Sequence, residues 1–137
     1  MRRRHGTKIE YRCAPVIVLI ESGVLFGELE QRFFSARRRR ELVAIGALQK
    51  LDETRAELKS MHTAEGSREQ GVGRAMLEAL IAVARRQRYR QVSLETGTMD
   101  AFTPARSLYL SAGFVPCGPF GDYRPSPNSM FMTLTLE

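Results

Sequence analysis

Two glycines set immediately before a long apolar-periodic run constrain this chain more than any other feature: Arg68-Glu69-Gln70-Gly71-Val72-Gly73-Arg74, then Ala75-Met76-Leu77-Glu78-Ala79-Leu80-Ile81-Ala82-Val83-Ala84. Glycines at this spacing let the main chain turn tightly and approach another atom closely. The helix that starts there offers unpaired N–H groups and the positive end of its dipole. Such a turn suits an anion, so the sequence predicts a phosphorylated ligand at this point. The two common nucleotide motifs do not fit. A P-loop needs Gly-Lys-Ser/Thr where this chain has Gly73-Arg74-Ala75. A dinucleotide fingerprint needs a third glycine and an acidic residue about 20 positions on, at the end of a second parallel strand.

The surroundings of the turn give it a place in a fold. Glu41 to Leu48 reads as a strand, Leu51 to Arg55 as a polar turn, and Ala56 to Thr63 as the returning strand, so a hairpin delivers the chain to the glycines. Beyond the helix, Gln91 to Thr96 is a short strand. Pro104 to Ala112 is a second helix, with Pro104 in its first turn and Gly113 as its stop. Phe131 to Leu136 closes the chain as an alternating strand, and Pro116 to Asn128 holds too many turn residues for regular structure.

This order resembles the GNAT superfamily of acyl-CoA N-acyltransferases. The matching residues are Glu57-Leu58-Lys59-Ser60-Met61-His62-Thr63, the turn Arg68 to Arg74, Leu94-Glu95-Thr96-Gly97, and Pro104 to Phe114, which reads P-A-R-S-L-Y-L-S-A-G-F. The motif-bearing part covers residues 41–137. The tail from Pro119 to Met132 is similar to that of one uncharacterised bacterial branch. The resemblance implies a single domain over residues 1–137 of α/β (α+β) class. Its centre would be a mixed, mostly antiparallel sheet with helices on both faces. Relatives begin with a strand and one or two helices that build the acceptor pocket. Residues 1–30 show no helical period to match, which implies a shortened or degenerate amino-terminal region.

Composition agrees with one core and qualifies the charge. The chain has 137 residues, 43% of them hydrophobic, enough for a single core. Its net charge of +6 lies entirely in residues 1–40, which hold 10 Lys+Arg against 4 Asp+Glu, while the remainder holds 11 of each. The runs Arg2-Arg3-Arg4 and Arg37-Arg38-Arg39-Arg40 lack interleaved aromatics, so they read as a frayed terminus and a solvated turn rather than a nucleic-acid surface. Ala14 to Ile20 is too short to span a bilayer and reads as a buried strand, which gives no reason to expect a membrane partner. Cys13 and Cys117 stand 104 positions apart without a C-x-x-C, which predicts free thiols, a cytoplasmic setting and no metal.

The chemistry implied by the resemblance is direct attack of an amine on a thioester. That requires a neutral amine, a polarised carbonyl and a proton for the departing thiolate. Acetyl-CoA would be the co-substrate. Met61, His62 and Thr63 would offer backbone groups to its pantetheine arm, and Gln70, Gly71, Val72, Gly73 and Arg74 would wrap its pyrophosphate with N–H groups. Arg68 and Arg74 would add charge. Tyr109, in Leu108-Tyr109-Leu110-Ser111-Ala112-Gly113-Phe114, would protonate the thiolate, and Glu95 would act as base, with Glu57 its rival. Phe102 stands where many relatives place an asparagine that contacts the pantetheine. Asp122, Tyr123 and Asn128 are candidates for the acceptor pocket. The acceptor would be a small-molecule or peptide amine, and a homodimer is compatible with the architecture. Two other readings stay open from sequence: a catalytically silent acyl-CoA sensor and a basic nucleic-acid-binding module.

Overall fold

The structure, a computed structural model, describes residues 2–5, 8–13, 16–26, 29–64 and 71–136, with side chains described from residue 30 onward within those stretches. In chain order the elements are β1 (Arg2–His5), β2 (Lys8–Cys13), β3 (Val16–Phe26), β4 (Leu29–Arg38), β5 (Glu41–Lys50), β6 (Arg55–Thr63), α1 (Val72–Arg86), β7 (Gln91–Gly97), α2 (Thr103–Ser111), β8 (Val115–Cys117) and β9 (Ser129–Thr135). A 3₁₀ turn, Asp100–Phe102, directly precedes α2.

The described strands form one sheet in the order β1-β2-β3-β4-β5-β6-β7-β9-β8. Every neighbouring pair is antiparallel except β6 and β7, which run parallel. That exception follows from connection length. Antiparallel neighbours can be joined by tight turns, whereas a parallel pair needs a crossover, and α1 supplies it. At the β5–β6 turn, Asp52 accepts hydrogen bonds from the Thr54 and Arg55 N–H groups at 2.9 and 2.8 Å, an Asx turn that reverses the chain. The four-arginine run is a turn as well: Arg39 and Arg40, both at positive φ, reverse the chain between β4 and β5.

The core lies between the sheet and α1. Val72, Ala75, Met76, Ala79, Leu80 and Val83 recur at helical spacing and bury one stripe of α1 against Phe34, Leu48, Leu58 and Leu94. Each fully buried Leu or Met contributes about 2 kcal/mol relative to exposure. The fit is close at Gly46 in β5, where a Cβ would stand 2.9 Å from Leu80 Cδ1.

The mixed, mostly antiparallel sheet is as expected, but the placement of helices needs correction. Along β7, Val92 and Leu94 point into the α1 core while Ser93 and Glu95 point to the opposite face. Tyr109 of α2 and Phe114 beyond it join the same core cluster as α1. Among the described residues, then, both helices cover one face. The described parts of residues 2–26 are strands. The strand expected over Ala14 to Ile20 is observed as Val16–Phe26. One further correction concerns Pro116 and Cys117. Read as irregular, they belong to β8 and pair with Met132 and Phe131. Among the described residues no helix is long and apolar enough to cross a membrane.

Candidate active site at the strand fork

The site begins with a ladder that stops. β6 and β7 pair from Arg55 with Gln91 to Leu58 with Leu94, and no further, although β6 continues to Thr63 and β7 to Gly97. The cause is local. Ser60 has φ 57, and the β5–β6 register shifts between Ile45/His62 and Ala47/Lys59, so β6 carries a bulge just past the last rung. A bulge bends its strand, and here it opens a fork between β6 and β7. Among the described residues, backbone groups of Met61, His62 and Thr63 that face β7 therefore have no ladder partner.

Two cavities meet at this fork. One, of about 650 Å³, is lined by Met61, His62, Thr63, Gly71, Gly73 and Arg74 on one side and by Phe102, Ala105, Leu108 and Tyr109 on the other. Gly71 caps α1 in the left-handed region at φ 77. The first main-chain bond of the helix runs from Ala75 N to Gly71 O at 3.0 Å, so the N–H groups of Val72, Gly73 and Arg74 have no helical acceptor. No acidic residue stands in the first turn of α1 to repel an anion. Gly73 keeps this wall thin: a Cβ there would lie 3.4 Å from Thr63 Oγ1 and 3.5 Å from Leu108. Arg74 lies at the rim, where it donates to Ser111 Oγ and ties α1 to α2.

The second cavity, of about 420 Å³, opens on the other side of the fork and includes Glu57, Lys59, Ser60, Glu95, Thr96, Met99, Tyr123, Asn128 and Ser129 in its wall. Met61, Phe102, Ala105 and Tyr109 border both cavities. The Tyr109 hydroxyl has no hydrogen-bond partner among the described residues, and burial pushes its pKa up to about 12. Its ring is fixed edge-on against Phe114 at 5.8 Å between centroids.

Two carboxylates face this second cavity. Glu57 is buried and accepts a 2.6 Å hydrogen bond from Tyr123 Oη; Glu95 is exposed and accepts one of 2.6 Å from Ser129 Oγ. Tyr123 is held by aromatic edges, 5.2 Å from Phe120 and 5.5 Å from Phe131. This cluster pins the irregular loop after β8 onto the sheet face that the helices leave free. Burial, then the Glu57 hydrogen bond and the charges of Glu57 and Glu95, push the Tyr123 phenol well above its ordinary value.

A sequence profile of the Acetyltransferase (GNAT) family matches residues 7–114. The chain belongs to the GNAT acetyltransferase family. It is 46% identical over 107 residues to the uncharacterized N-acetyltransferase YsnE of Bacillus subtilis, covering 78% of this chain and 71% of that one. Among solved structures, a Klebsiella pneumoniae protein described as an acyl-CoA N-acyltransferase superposes with a TM-score of 0.73 at 30% identity, covering 78% of this chain and 73% of that one. A GNAT acetyltransferase of Elizabethkingia anophelis with acetyl-CoA bound shares the fold, with a TM-score of 0.67 at 21% identity and coverage of 77% and 76%. This GNAT protein is thus an acyl-CoA-dependent acyltransferase.

Within the GNAT frame, the expected site residues gather closely. Met61, His62, Thr63, Gly71, Gly73, Arg74 and Tyr109 line the larger cavity, and Glu95 shares the smaller one with Tyr109. Val72 is different: its side chain is buried in the core, so only its backbone is available at the turn. Arg68 and Gln70 lie outside the described residues, as does Glu69. Of the loop candidates, Tyr123 and Asn128 reach the smaller cavity, whereas Asp122 is exposed and not part of its wall.

Sequence reasoning missed Ser129 and Arg106. Ser129 pairs with Gly97 in register, which puts it diagonal to Glu95 on one sheet face; a correct β7–β9 alignment would have found it. Arg106 donates to the carbonyls of Gly97 and Met99 at 2.7 and 3.0 Å and to Thr103 Oγ1 at 2.9 Å, fixing the end of β7 against α2.

Proposed function

We propose that this chain moves an acetyl group from acetyl-CoA to a primary amine by direct attack. The observation that carries the reading is Tyr109, a buried phenol at the junction of two cavities whose hydroxyl has no partner among the described residues. The larger cavity fits the co-substrate. Its glycine turn offers N–H donors to a diphosphate, and the unpaired edge of Met61, His62 and Thr63 matches an amide-bearing arm. Arg68 and Gln70 extend that turn in sequence, and Arg68 and Arg74 add positive charge to it.

Acetyl-CoA supplies an activated acyl carbon; the chain supplies position and protons. Glu95, exposed at the mouth of the smaller cavity and oriented by Ser129, takes the proton that the incoming ammonium must lose. Tyr109 Oη holds a proton for the departing sulfur, and its raised pKa keeps that proton in place across the working range. Phe102 lies beside both cavities and offers an apolar surface where an amide contact is absent. The acceptor is a small-molecule or peptide amine, and a cytoplasmic setting fits the free thiol of Cys117.

The test is release of free thiol from acetyl-CoA by the purified chain across a panel of primary amines. Amine-dependent release is the expected result. A chain that acetyl-CoA stabilises against heat, yet that releases no thiol with any amine, would sink the proposal.

A further inference from the structure

With Glu95 assigned to the reacting amine, Glu57 is a buried carboxylate that the proposed chemistry leaves unused. It lines the smaller cavity at 5% exposure, and among the described residues its side chain has one hydrogen bond, from Tyr123 Oη to Oε2. Oε1 has none. A buried carboxylate served by one neutral donor is costly, and a cation brought against its open oxygen offsets that cost. The Tyr109 hydroxyl, in a residue 7% exposed, is a second buried polar group on the same cavity, in addition to Glu57 Oε1, with no partner among the described residues. Both point to a ligand that this space is shaped to take.

The charges favour one kind of ligand. Glu57 and Glu95 both act on Tyr123, which places the phenol in a negative field. Lys59 shares the cavity wall, but its Nζ is engaged by Gln49 Oε1 at 3.2 Å. Glu57 pairs with Ser93, and Glu95 lies two residues further along β7 on the same face. Strand geometry sets the two carboxylate-bearing Cα atoms about 8 Å apart, and more where the fork opens.

We infer that the acceptor carries a second cationic group, held by Glu57 while its reacting amine lies at Glu95: a short aliphatic diamine rather than a monoamine or an amino acid. The inference rests on the acetyl-transfer reading above and deepens it. An acceptor with a carboxylate at its far end would meet two like charges in the same cavity.

Three amines of matched chain length test this: putrescine, butylamine and γ-aminobutyrate, ending in a cation, a methyl group and a carboxylate. Their binding to the whole chain saturated with CoA is read by calorimetry, and their turnover by thiol release from acetyl-CoA. Putrescine is expected to bind about tenfold or more tighter than butylamine, the scale of a charge-assisted hydrogen bond, with γ-aminobutyrate weakest. Glu57→Gln should bring the putrescine-to-butylamine ratio toward one, whereas Tyr123→Phe, which leaves the carboxylate charged, should preserve the preference. In the unaltered chain the same ratio should fall as salt is added. Equal binding of the three amines, a preference for γ-aminobutyrate, or loss of the ratio in both variants would overturn the inference. Failure of the underlying reading has its own signature: the binding order persists while no amine provokes thiol release.

Discussion

The Phe102 ring lies so close over Gly97 that a Cβ on the glycine would stand 2.4 Å from ring atom Cδ2. Gly97 ends β7, Phe102 ends the 3₁₀ turn, and the contact sets where the ring stands between the two cavities. Gly97→Ala should therefore displace the ring rather than the strand. The expected outcome is a loss of about 1–3 kcal/mol in urea unfolding, the usual cost of overpacking, together with a raised KM for acetyl-CoA. Adding Phe102→Ala should return most of the stability, and a double-mutant cycle measures the coupling.

Tyr109→Phe should separate chemistry from binding. The ring packs as before against Phe114, while the only group removed is a hydroxyl without a described partner. Thermal stabilisation by CoA should persist, and kcat should fall about a hundredfold, the range for loss of a general acid. A fall in CoA affinity with kcat intact would assign the hydroxyl to binding instead.

The same phenol gives a signed dependence of stability on pH. Its pKa rises from about 10 in the unfolded chain to about 12 in the folded one through burial. An acid that holds its proton more tightly when folded stabilises the fold fully below the unfolded value and loses that contribution as pH climbs through the folded one. Stability should thus decline between about pH 10 and pH 12, with Tyr123 adding in the same direction. Urea titrations across this window should show a smaller decline in Tyr109→Phe than in the unaltered chain.

Gly71 tests the turn by conformation alone. Its φ of 77 is unfavourable for any residue with a Cβ, yet among the described residues no atom lies within 4 Å of where that Cβ would stand. Gly71→Ala should cost about 1 kcal/mol in stability from backbone strain. The same strain misaligns the first N–H groups of α1, so stabilisation by CoA should weaken more than stability itself. Thermal melts with and without CoA separate the two effects.

Much of the frame was legible because its signals are local. The apolar stripe from Ala75 to Ala84 and the alternation in Gln91 to Thr96 state their own periods, and Gly113 marks the stop of α2 with φ 103. The motif around Leu108 to Phe114 located Tyr109 without any tertiary information. Contacts between distant segments were harder. Tyr123 is 66 positions from Glu57, and Ser129 is 34 from Glu95; no periodicity links them, and only the β7–β9 register and the aromatic packing of the loop bring them together. Placement of both helices on one face was also hidden, since amphipathicity tells a helix which stripe to bury but not which side of a sheet will receive it.

The bulge at Ser60 has a price in cohesion. A sequence that let β6 run straight would zip further rungs onto β7, gain main-chain hydrogen bonds and seal the fork at which the two cavities meet. Substitutions that relax the left-handed Ser60 should accordingly yield a sturdier and idler protein, so selection for heat resistance alone would tend to erase the very defect that makes the sheet useful.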